Sequence, residues 1–149
     1  LQWIPNLRQS ALLYRTQLGR EESAPAIRLY EEVQSAVLPK IQLPEERMLR
    51  VFRDWKIYFP QQDGVAIQMD WDMPTLERII EWQPDLILLE QENVRMFGDP
   101  DILESAVDAE AMRPVYEFYS QAEQDQIPGY QKVLEDGFGV VFQKEGSAP

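Results

Sequence analysis

The chain has 149 residues, 44% apolar and 27% charged, a composition that suits one ordinary globular domain and excludes a disordered or fibrous polypeptide. Its 26 acidic residues against 14 basic ones leave a net charge of −12, which repels nucleic-acid backbones and anionic membrane surfaces, so no nucleic-acid partner is expected. Cysteine and histidine are both absent, which removes disulfides, thiolate and imidazole metal ligands, a cysteine nucleophile and the Ser-His triad together.

In chain order, Trp3, Ile4, Leu7, Ala11, Tyr14 and Leu18 recur at helical spacing with Arg8, Gln9, Arg15 and Gln17 between them. This predicts an amphipathic helix from Pro5 to Gly19, packed on the domain or serving a juxtamembrane or partner-binding role. The polar run Gly19 to Ser23 predicts a loop, and residues 1–23 form an N-terminal helix-and-loop segment. A second helix opens at Ser23 or Ala24 before Pro25, carries Ile27, Tyr30, Val33 or Gln34, and Val37 on one face, and is ended by Pro39 and Pro44.

Met48 to Arg53 reads as a first strand, leading into Asp54-Trp55-Lys56-Ile57-Tyr58-Phe59-Pro60 at its carboxyl end. After the turn at Gln61 to Gly64, Val65 to Met69 is a short strand, and Asp70 to Pro74 supply the cap and first turn of a helix reaching Trp82. Pro84 forces a break. Leu86 to Leu89 is a continuous apolar run, as in a parallel strand covered on both faces.

Glu90 and Glu92 then belong to an acidic loop, Asp99-Pro100 starts a short helix through Val107, and Met112, Val115, Tyr116 and Tyr119 mark another helix. Two apolar runs flank Glu135-Asp136-Gly137, a strong hairpin signal. The expected fold is a three-layer α/β domain over residues 24–145, with a mainly parallel sheet, helices on both faces and a C-terminal antiparallel β-hairpin, followed by a flexible tail at 146–149.

Ligands of open α/β sheets bind beyond the carboxyl ends of the strands, where this sequence places several acids. Asp70 and Asp72, two apart in a loop, are the candidate ligands of a divalent cation, the one cofactor the sequence suggests. Glu90 and Glu92 would join them as an acid/base or cation site if the strand ends converge. Trp55, Tyr58 and Trp71 add aromatic faces of the kind that stack on sugars. The ordinary alternatives are helix capping, solvated acids and core packing. Isolated glycines provide no phosphate-cradling loop, and the acids do not fall where a phosphoacceptor receiver domain has them.

No apolar run approaches the ~18 to 20 residues of a membrane span, and the start of the chain is unlike a signal peptide. The first residue is Leu1 rather than Met, which leads us to expect a piece of a longer protein. Four landmarks occur in order: a helix ending near Leu38-Pro39; Arg50 to Trp55 with Tyr58 and Pro60; Leu76 to Leu89 with Pro84-Asp85-Leu86-Ile87; and Tyr130 with Phe138 to Lys144. Over residues 24–144 this order resembles the soluble C-terminal extracytoplasmic domain of bacterial polytopic membrane glycosyltransferases of the dolichyl-phosphate-mannose mannosyltransferase kind.

That resemblance implies a periplasmic or outer-face location, the membrane-embedded remainder of the same chain as partner, and a sugar or glycan acceptor. It carries no catalytic residue onto this chain, because catalysis in such proteins is associated with loops of the membrane part. The segment from Leu76 to Ile87 alone is also similar to part of the periplasmic metal-siderophore binding proteins. The expected function is a non-catalytic domain supporting acceptor or partner binding. Its alternatives are a stand-alone small-ligand or divalent-cation module using Asp70, Asp72, Glu90 and Glu92, and a small carboxylate-dependent hydrolase.

Overall fold

The computed structural model describes residues 20–44, 46–68 and 73–146, so the predicted leading helix, residues 147–149 of the tail and the Asp70-Trp71-Asp72 motif lie outside the described residues. Helix α1 (Arg20–Glu32) passes into a π-helical turn at Val33–Val37 and a 3-10 turn at Leu38–Lys40. Strands β1 (Leu49–Arg53) and β2 (Val65–Gln68) follow, then helix α2 (Leu76–Trp82), strand β3 (Leu86–Glu90), and helices α3 (Gln91–Phe97), α4 (Pro100–Ser105) and α5 (Ala109–Glu123). Strands β4 (Tyr130–Glu135) and β5 (Gly139–Lys144) form the final hairpin.

Among the described residues the five strands make one sheet in the order β2-β1-β3-β5-β4. β1 pairs in parallel with β2 and β3, whereas β5 runs antiparallel to both β3 and β4. The sheet is therefore mixed rather than mainly parallel, and its antiparallel part is the expected C-terminal hairpin. A tight turn can only send a strand back antiparallel, and it is the returning strand β5 that lies against β3.

The apolar run of β3 is buried at every position, and the period-two alternation of a strand sends its side chains to opposite faces. Leu86 and Leu88 join Val51, Val141, the α1 residues Leu29 and Tyr30, and Val33 of the π-helical turn in one cluster. Ile87 and Leu89 join Phe52, Phe142, Ile79 of α2, Val94 of α3 and Phe118 of α5 in the other. Burial from two sides explains why β3 has no polar alternation.

Several local expectations are corrected. Helix α1 already includes Arg20 to Ser23, since Arg20, Glu21 and Glu22 are good helix formers whose polarity resembles a loop only in composition. The cap of α2 is Thr75, whose Oγ1 accepts from Arg78 N at 3.2 Å, rather than a residue of the Asp70 to Pro74 run. Gln83, with φ 54°, ends α2 just before Pro84. The acidic loop after β3 is helix α3, which buries Val94 and so has no apolar stripe to announce it. Asp99 caps α4 through Asp101 N at 2.9 Å, and α4 stops at Ser105 rather than Val107.

Two buried aspartates staple β1 to β3. At the amino end of β3, Asp85 pairs with Arg47 through Oδ1 and accepts Arg50 N through Oδ2 at 2.9 Å. Beyond the carboxyl end of β1, Asp54 performs the corresponding task and positions the candidate site.

Candidate functional site

β1 ends at Arg53 and the chain turns at Trp55 and Lys56, leaving Asp54 at the carboxyl edge of the parallel strands. Asp54 is 6% exposed. Its N–H donates to Leu88 O at 3.0 Å, which continues the β1–β3 ladder by one residue. Its Oδ2 accepts Glu90 N at 2.8 Å, and its Oδ1 accepts the hydroxyl of Tyr119 on α5, also at 2.8 Å. Burial nevertheless pushes the Asp54 carboxyl above its ordinary value, opposed by the bonds from Glu90 N, Tyr119 and Asn93. Tyr119 is held protonated by its own burial and by the adjoining Asp54 charge.

Glu90 occupies the position before the first turn of α3 but makes no capping bond with its side chain. The residue is 4% exposed, its Oε1 lies 3.7 Å from Lys56 Nζ, and its Oε2 is buried with no hydrogen-bond partner. Desolvation raises its carboxyl above the usual range, Lys56 works against that shift, and the charges of Asp54 and Glu92 reinforce it. Lys56 Nζ also lies 5.3 Å from the centroid of the Trp55 ring, which is 58% exposed.

The candidate residues thus separate. Glu90 and Trp55 meet through Lys56, and Glu92, exposed on α3, reaches Glu90 by its charge. Tyr58 belongs elsewhere: it is buried in the α1-side cluster, edge-on to Tyr30 with centroids 5.3 Å apart, and its hydroxyl is pushed up to about 12 by burial. Asp70, Trp71 and Asp72 fall outside the described residues, so the proposed cation pair has no described geometry. Among the described residues no three carboxylates gather to hold a metal ion, and at Glu90 the neighbouring positive charge is the Lys56 ammonium.

Asp54, Lys56, Asn93 and Tyr119 were not singled out from sequence. The available signal was slight: an aspartate directly after a buried strand, and a tyrosine in an apolar helical stripe whose hydroxyl needs a partner if buried. What the arrangement does chemically is to hold two carboxyl groups out of water, Glu90 facing the Lys56 ammonium, with the exposed Trp55 indole next to that ammonium. Comparison with protein-family models, curated proteins and solved structures returns no match.

Proposed function

We propose that this chain is a non-catalytic domain of a larger membrane-anchored protein, of the glycosyltransferase kind its sequence resembles. In this reading the domain is a three-layer unit on the extracytoplasmic face. It packs with the membrane-embedded remainder of the same polypeptide and helps to hold a sugar or glycan acceptor or a partner. The observation that carries it is the engagement of Asp54. At the sheet edge where α/β domains place ligands, this carboxylate is tied to Tyr119 and to Glu90 N, and so serves cohesion rather than chemistry.

The landmarks of the resemblance lend support because they are contiguous in space. Arg50 to Arg53 lie in β1, Leu76 to Leu89 span α2 and β3, and Gly139 to Lys144 form β5, which pairs with β3. Among the described residues no helix is long and apolar enough to cross a membrane.

Antibodies raised against this 17.4 kDa domain test the reading on fractionated source cells. A much larger band in the membrane fraction is expected. A band at the domain's own mass in the soluble fraction, with none in the membranes, overturns the proposal.

A further inference from the structure

The turn between β4 and β5 sits beyond the carboxyl end of β3, on the sheet edge where α/β domains place ligands. Gly139 pairs with Glu90, Gln91 N donates to Phe138 O at 2.9 Å, and Gln91 Nε2 donates to Asp136 O at 3.2 Å. Asp136 Oδ1 accepts from Phe138 N and Gly139 N, both at 2.8 Å, which fixes the turn. The missing side chain of Gly139 lets Leu29 bring α1 alongside it. Between α1 and the turn lies an open cleft of about 460 Å³, lined by Pro25, Arg28, Glu32, Asp136, Gly137 and Phe138. That volume falls within the range of small-molecule sites, roughly 300–1,000 Å³.

The lining has a definite chemical pattern. Pro25, Arg28 and Glu32 are three and four residues apart and so share one face of α1. Arg28 and Glu32 are exposed, and among the described residues neither side chain makes an ion pair or hydrogen bond. Asp136 spends only Oδ1 on the turn. Pro25 and the half-buried Phe138 supply the apolar wall. A simple anion would meet the two carboxylates, and a simple cation would meet Arg28. A molecule carrying both charges on an apolar body satisfies the whole lining. We propose that this cleft binds a free α-amino acid with an apolar side chain. Its carboxylate pairs with Arg28, its ammonium with Glu32 and Asp136 Oδ2, and its side chain packs on Pro25 and Phe138. This inference does not depend on the membrane-anchored reading.

The test uses L-leucine as probe, titrated at pH 7 to about 10 mM into the full chain while the amide signals of Gly137 and Phe138 are followed by NMR. A saturable shift with a dissociation constant on the order of 1 mM or below is expected. L-Leucinamide, without the carboxylate, and N-acetyl-L-leucine, without the ammonium, should each bind at least about tenfold more weakly. Arg28→Gln and Glu32→Gln, both at exposed helical positions that leave the fold intact, should weaken leucine binding to a similar degree. Absence of a saturable shift overturns the proposal. So does equal binding of the two blocked analogues, or leucine binding unchanged in Arg28→Gln.

Discussion

The hydroxyl of Tyr119 donates a 2.8 Å hydrogen bond to Asp54 Oδ1, joining α5 to the end of β1 across 65 positions of sequence. Tyr119 is 1% exposed, so water cannot replace it at Asp54 without repacking the second cluster. Tyr119→Phe keeps the ring and leaves a buried carboxylate oxygen short of a donor. The expected loss is about 1.5–3 kcal/mol in urea unfolding. Tyr116→Phe, on the same helix but only partly buried, should change stability by less than about 0.5 kcal/mol. Equal effects in the two variants would contradict the assigned role of Tyr119.

The pH dependence of stability follows from the same edge. Burial raises the carboxyls of both Asp54 and Glu90, so over an intermediate range the folded chain retains protons that the unfolded chain has released. That contribution is complete below the unfolded carboxylate values near pH ~4 and is lost as pH rises through the folded values. Glu90→Gln removes the share belonging to Glu90. Its thermal midpoint should therefore gain on wild type as pH increases, reaching an advantage on the order of a few °C at pH 8. A difference that stays constant from pH 4 to 8 would show that burial of Glu90 does not drive the effect.

At the opposite edge, Asp85 is fully buried and serves both Arg47 and the backbone of Arg50. Asp85→Ala removes the acceptor of the Arg50 N–H and the partner of Arg47, whose side chain is one-third exposed, and should cost roughly 1–3 kcal/mol. Asp85→Asn, which retains an acceptor for Arg50 N, should cost less. Denaturant midpoints of the two variants decide the order.

Gly139 is a packing requirement. A Cβ built there lies 2.5 Å from Leu29 Cδ2 and 3.1 Å from Leu89 O, so α1 could not approach β5 as closely. Gly139→Ala should destabilise by about 1–3 kcal/mol. Gly137→Ala, two residues earlier, places its Cβ in open space and should be near neutral. Thermal unfolding of both checks the contrast.

Sequence alone determined the elements whose signals are local. The uninterrupted Leu86 to Leu89 run marked a strand buried on both faces, Asp99 before Pro100 marked a helix start, and Asp136-Gly137 marked the hairpin. Each rests on periodicity, capping or turn chemistry acting within a few residues. Helix α3 escaped because its seven residues bury only Val94, leaving no period to detect. The tertiary structure decided that β5 rather than β4 lies against β3, that Tyr58 packs in the core while Trp55 remains exposed, and that Asp54 meets Tyr119. Strand order and helix docking bring these groups together from distant parts of the chain, and burial then sets the carboxyl chemistry of Asp54 and Glu90, neither of which has a local signature in sequence.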